Sequence, residues 1–215
     1  MIIENALSAE LLAAVASAIQ AGPFESGKLT AQGLAQAAKL NLQLSSVDHA
    51  LLLNSIAAAI QAHPVVQAFA MPRCIGRTLI NRYEVGMEYG MHSDGAFIQD
   101  VRTDVSFTLF LDDPATYQGG ELVVATTAQT FTFKLPAGSL LLYPAGELHR
   151  VAPVTGGVRH AVVGWLQSRI RDAHQREIIA KLSVVPRTLG QDAQYTELAT
   201  QTGQCIQELV RMWAD

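Results

Sequence analysis

Cysteine is almost missing from this 215-residue chain: Cys74 and Cys205 lie far apart, and neither has a partner at metal-ligand spacing. A disulfide framework and a cysteine-rich zinc cluster are thereby excluded, leaving two ordinary thiols. Charge is sparse as well. Only 16% of residues are charged, and the 15 basic and 19 acidic side chains are scattered, for a net charge of −4. A nucleic-acid or anionic-membrane footprint needs clustered Lys and Arg. The expected substrate is therefore a small molecule or a peptidyl group. Long hydrophobic runs are missing too, since Asn54, Ser55, Gln61 and Pro64 interrupt the longest one, short of the ~18 residues of a membrane span. The opening Met1-Ile2-Ile3-Glu4-Asn5 has no basic region leading into an apolar one. The expectation is a cytoplasmic protein without an export signal.

What is present is a 49% apolar composition, enough at this length for one domain with a substantial core. A homo-oligomer remains open. Ser8 ahead of Glu10-Leu11-Leu12 predicts a capped helix to about Gln20, ended by Gly22-Pro23. A second helix is predicted from about Ser46 or Asp48 to Ala62, with Pro64 closing it; between the two, periodicity does not decide the structure of 24–45. From residue 76 the texture becomes short β-branched and aromatic runs. Strands are predicted at Leu79–Val85, Val105–Leu111, Glu121–Ala125, Gln129–Lys134, Ser139–Tyr143, His149–Val154 and Arg159–Gln167. Helices return at Arg171–Leu182 and Tyr195–Trp213. The expected architecture is mainly β: a jelly-roll core over 76–168, an N-terminal helical support region over 1–75 and a C-terminal helical extension over 169–215. These form one unit with the helices layered on an outer face. Alternation along Val105–Leu111 sends Val105, Phe107, Leu109 and Leu111 to the helices and Ser106, Thr108 and Phe110 into a cavity.

His92-Ser93-Asp94 is the most informative tripeptide, because residues two apart in an extended segment project to one side. A third ligand from another strand would complete a two-histidine, one-carboxylate set with coordination positions left open. His149, after the turn Pro144-Ala145-Gly146, is the best placed. Ten positions later, Arg159 falls on a strand that buries it with Ala161 and Val163. A buried guanidinium needs an anion. That anion is either a bound carboxylate or an internal partner such as Glu121 or Asp113. His160 faces away from Arg159 in a strand, and His49, His63 and His174 are expected at the solvated surface.

These segments, together with Asn81-Arg82-Tyr83-Glu84-Val85-Gly86, Arg102-Thr103-Asp104, Gly119-Gly120-Glu121-Leu122, Leu135-Pro136-Ala137-Gly138-Ser139, Leu142-Tyr143-Pro144 and Trp165-Leu166-Gln167-Ser168, resemble one family in order. Glu25-Ser26-Gly27-Lys28 and Asn41-Leu42-Gln43-Leu44 match it as well, so the likeness runs from about residue 24 to about 180. The family is the PKHD-type hydroxylases, prolyl-4-hydroxylase-like iron(II)/2-oxoglutarate dioxygenases. The resemblance implies a double-stranded β-helix fold, Fe(2+), 2-oxoglutarate and O2 as cosubstrates, and L-ascorbate as the reductant that restores the metal. It assigns the metal to His92, Asp94 and His149 and the distal carboxylate of 2-oxoglutarate to Arg159. Tyr83 is carried over as a cosubstrate contact, its alternative being a packed aromatic satisfied locally. Thr108 joins it through its cavity-facing parity. One departure concerns the substrate: after Asp94 the chain reads Gly95-Ala96-Phe97-Ile98 and is expected to run quickly into the next strand, where many relatives have a longer insertion. Two other readings of such a site are a cupin-like iron-binding or sensing module that does not turn over and a zinc hydrolase on the same scaffold.

Overall fold

The computed structural model describes residues 1–31 and 33–215. Its helices are α1 (Ala9–Ala21), α2 (Gly33–Ala37), α3 (Ala50–Ala62), α4 (Pro64–Ala70), α5 (Ala173–Leu182), α6 (Val184–Leu189) and α7 (Thr196–Trp213). The Ser8 hydroxyl accepts the Leu11 N–H at 3.3 Å and starts α1, while Gly22 at φ 60° ends it. Pro64 does not simply close α3. It occupies the first turn of α4, whose start is capped by the His63 ring accepting the Val65 N–H. Proline is favoured there because the first turn has no use for its missing N–H. The two helices meet at a 70° bend. No single helix among the described residues is long and apolar enough to cross a membrane. The bent pair reaches that apolarity only together, and Leu53, Ile56, Ile60, Val66 and Ala70 of it are buried in the protein core.

Two antiparallel sheets make up the centre. The larger has seven strands in the order β1 (Ile2–Ile3), β13 (Leu140–Pro144), β9 (Val105–Phe110), β16 (Arg159–Ser168), β5 (Pro72–Tyr83), β4 (Leu42–Leu44) and β2 (Phe24–Ser26). The smaller has five, β12 (Thr130–Phe133), β11 (Leu122–Ala125), β14 (Leu148–Val151), β6 (Glu88–His92) and β3 (Lys39–Leu40). Two short ladders complete the set, β7 (Phe97–Ile98) with β8 (Val101–Arg102) and β10 (Gln118–Gly119) with β15 (Val154–Gly156). The segment 24–45 thus supplies strands to both sheets. The strand predicted at His149–Val154 is split, β14 and β15 belonging to different ladders. After Asp94 the chain passes through Gly95 and Ala96 into a short strand at once, but that strand is β7 and not β9. The β7–β8 hairpin intervenes, turning through Gln99 at φ 50° and Asp100 at φ 63°, the paired left-handed conformations of a two-residue hairpin turn.

The outer face of the larger sheet carries the main core. Val105, Phe107 and Leu109 of β9 and Val162 and Leu166 of β16 pack with Val15, Ile56, Ile60 and Val66 from the N-terminal helices. The opposite parity turns Ser106, Thr108 and Phe110 toward the smaller sheet, as the alternation predicts. The C-terminal helices gather instead around a cluster of their own, Ile170, Ile179 and Ile206, with Met71 and Trp213 against it. Arg102 ties that end to the sheet: it donates to both Asp104 oxygens at 2.8 and 3.0 Å and to Asp215 at 2.7 Å.

Candidate functional site

The inner face between the two sheets encloses a cavity of about 530 Å³. His92 ends β6, and β14 pairs with it so that His149 lies directly opposite His92. Asp94, two residues beyond His92, turns back to the same point. The ligand atoms of the three lie within 4.8 Å of one another; Asp94 Oδ1 is 4.0 Å from His92 Nε2 and Oδ2 is 3.7 Å from His149 Nε2. Their side chains are 7–8% exposed.

Each imidazole is aimed by its own backbone. His92 Nδ1 lies 2.8 Å from the Gly90 carbonyl and His149 Nδ1 lies 2.9 Å from the Glu147 carbonyl. A carbonyl can only accept, so Nδ1 carries a proton in both rings and Nε2 is the nitrogen aimed at the shared point. Burial, aided by the neighbouring His149, pushes His92 down to about 4. It is therefore a neutral ligand donor at physiological pH. His92 stacks on Tyr89 with ring centres 3.7 Å apart, and His149 meets Tyr143 edge-on at 5.2 Å. The Ser106 hydroxyl donates to Asp94 Oδ2 at 2.5 Å, fixing the carboxylate. Two imidazoles and one carboxylate, with no fourth His, Cys, Asp or Glu grouped with them among the described residues, fit an iron(II) that keeps open positions. Ser106→Ala should therefore weaken iron(II) binding by about 10–100-fold, the usual effect of losing a partner that orients a ligand. A competition titration with a chromogenic chelator measures it.

Arg159 lies deeper in the same cavity, 1% exposed. It faces Tyr83 across the β16–β5 ladder, with its guanidinium carbon 5.2 Å from the Tyr83 ring and 5.6 Å from that of Phe110. Neither Glu121 nor Asp113 pairs with it: among the described residues no carboxylate lies within 4.0 Å, and Nε and Nη2 have no hydrogen-bond partner. Buried donors left open in this way are costly unless an anion completes them. A dicarboxylate cosubstrate fits this requirement. Gly120, at φ 67°, makes room for the guanidinium, since a β-carbon there would stand 2.9 Å from Arg159 Cδ.

Tyr83 and Thr108 both line the cavity, 1% and 2% exposed. Burial raises the Tyr83 phenol, and Thr108 lies against the Tyr143 phenol, which burial raises also. Both phenols keep their protons and can donate. His160 points elsewhere, its backbone N–H and its ring both engaged by Asp112. His49 and His63 are half-buried at helix ends, not fully solvated, and His174 is exposed; none joins the cluster.

The sequence reading gave no site role to Lys39, Arg77, Tyr143 or Trp165, all of which line the cavity. Lys39 is 5% exposed, donates to Thr30 Oγ1 at 3.1 Å and sits 5.1 Å over the Tyr89 ring. Burial first, and Arg77 second, push its ammonium down to about 8.

Residues 78–167 match the model of the 2OG-Fe(II) oxygenase superfamily. The whole chain is similar to a PKHD-type hydroxylase of Synechococcus sp. (strain JA-2-3B'a(2-13)), 40% identical over 219 residues that cover 99% of this chain and 98% of that one. A PKHD-type hydroxylase of Hyphomonas neptunium is 40% identical over 223 residues, 100% of this chain and 99% of that one. Among solved structures, an oxidoreductase of the 2OG-Fe(II) oxygenase family from Burkholderia pseudomallei superposes with a TM-score of 0.60 at 22% identity, covering 80% of this chain and 86% of that one, and so shares the fold. Matched nearly end to end by such relatives, this chain belongs to the PKHD-type hydroxylases, oxygenases of the 2OG-Fe(II) superfamily.

Proposed function

We propose that this protein hydroxylates a small-molecule or peptidyl substrate while 2-oxoglutarate is converted to succinate and carbon dioxide, with Fe(2+) held by His92, Asp94 and His149 and the distal carboxylate of 2-oxoglutarate held by Arg159. The observation that carries this reading is one cavity containing both a three-ligand cluster and a buried guanidinium without an anion. Bound at the cluster, iron(II) supplies the redox chemistry that sets dioxygen against the 2-oxoacid and the substrate. The chain's own residues arrange the reactants. The Gly90 and Glu147 carbonyls hold the imidazoles in one tautomer, and Ser106 holds Asp94. Arg159 anchors one end of the cosubstrate so that its other end reaches the cluster, and Tyr83 and Thr108 donate hydrogen bonds to it from the walls. The apolar wall formed by Leu122, Val151 and Phe110 excludes water from that end. L-ascorbate serves as the reductant that keeps the metal ferrous, and the protein works in the cytoplasm. The segments 1–75, 76–168 and 169–215 act as one structural unit.

The test is succinate release under Fe(2+), ascorbate and air, screened against metabolites and peptides. Stimulated release identifies the enzyme. Iron binding with no succinate under any condition would favour a sensing module, and oxygen-independent turnover sustained by zinc would favour a hydrolase. Zinc and copper bind such a donor set at least as well as iron(II) and are expected to inhibit.

A further inference from the structure

The cavity has two chemically separate ends. Arg159 and Trp165 project from the same face of β16, six residues apart, which at ~3.3 Å per residue separates them by about 20 Å. The metal cluster lies toward the Trp165 end, because Trp165 pairs with Ser106 and Ser106 holds Asp94. At the Trp165 end are Lys39 and Arg77, and neither has a carboxylate within 4.0 Å among the described residues. Lys39 spends one donor on Thr30, and the Trp165 Nε1–H is buried without a partner. Asp100, at the tip of the β7–β8 hairpin, lines the rim but is exposed and pairs with neither cation.

Charge bookkeeping separates the two ends further. Iron(II), Asp94, a doubly charged cosubstrate and Arg159 form a neutral assembly. That leaves Lys39 and Arg77 near enough to repel one another, with only the more distant Asp94 of the cluster opposing them and no carboxylate within 4.0 Å among the described residues, an arrangement that costs free energy until an anion enters.

We propose that Lys39, Arg77 and the Trp165 indole N–H form an acid-binding subsite, so that the substrate to be hydroxylated carries a compact anionic group, a carboxylate or a phosphate ester. The guanidinium offers a planar fork and the ammonium a point charge from the opposite sheet, so the group is gripped from both walls of the cavity. The C–H bonds close to that group then lie beside the metal cluster. This assignment rests on the dioxygenase reading for what happens to the bound acid, but its recognition chemistry can be tested by itself.

The experiment uses the full chain loaded anaerobically with iron(II) and 2-oxoglutarate, whose visible charge-transfer band reports the cosubstrate site. Benzoate, its neutral counterpart benzamide and phenyl phosphate are then titrated while tryptophan fluorescence is followed. Benzoate or phenyl phosphate is expected to bind about tenfold or more tightly than benzamide, the size of a charge-assisted pair; whichever binds tighter identifies the acid. Lys39→Met and Arg77→Gln should each remove about tenfold of that preference, and Lys39→Arg, which keeps the charge, should restore most of it. The charge-conserving variant separates recognition from any folding defect. A normal charge-transfer band with equal binding of benzoate and benzamide overturns the subsite and spares the dioxygenase reading. A missing band with an acid preference that vanishes in Lys39→Met and Arg77→Gln does the opposite.

Discussion

Arg159→Ala is expected to keep iron(II) and lose 2-oxoglutarate, weakening the cosubstrate by ~30-fold or more. The guanidinium is 1% exposed, its Nε and Nη2 are open, and no residue of the chain offers it a carboxylate within 4.0 Å among those described. Removing a charge-assisted, two-pronged partner from a buried carboxylate costs on the order of 2–5 kcal/mol, mostly because the remaining charge is stranded. Arg159→Lys should recover part of this, since an ammonium keeps the charge but not the fork. Titrating 2-oxoglutarate into the anaerobic iron(II) protein and following the charge-transfer band gives the midpoint directly. An unchanged midpoint in Arg159→Ala would sink the assignment.

Alanine at His92, Asp94 or His149 should each abolish turnover and weaken iron(II) by more than the ~10–100-fold expected for a supporting residue. All three side chains are 7–8% exposed and their ligand atoms converge within 4.8 Å, so removing any one leaves two donors where three meet. His160→Ala is the control, because its ring is engaged by Asp112 on the far parity of β16. Equilibrium dialysis of iron(II) with circular dichroism of each variant separates metal loss from unfolding. Equal iron loss in His160→Ala and His149→Ala would refute the ligand set.

The convergence of His92 with Asp94 and the burial of Arg159 were legible in the sequence because strand parity constrains them: residues two apart share a face, and a strand carrying Arg159, Ala161 and Val163 inward has one orientation. The same parity placed Ser106 in the cavity, although not its bond to Asp94, which depends on β6 and β9 meeting in space. Lys39 left no trace in the sequence. It lies on a two-residue strand in 24–45, too short for any period, and is buried only because β3 pairs with β6 at Tyr89. Pro64 was ambiguous for a different reason, since proline both stops one helix and starts the next. The separate C-terminal cluster around Ile179 and Ile206 was hidden because an amphipathic helix shows that it has an apolar face without showing which surface receives it.

The depth of Arg159 also dictates an order of events. Arg159 and Tyr83 are 1% exposed, whereas Phe97, Gln99 and Asp100 at the other end of the same cavity face solvent. A molecule seated against Trp165 therefore stands between the solvent and the guanidinium. Steady-state kinetics should follow a compulsory sequence in which 2-oxoglutarate enters before the substrate and succinate departs after the hydroxylated product. Substrate in excess would then capture the protein before its cosubstrate arrives, giving an inhibition that added 2-oxoglutarate relieves.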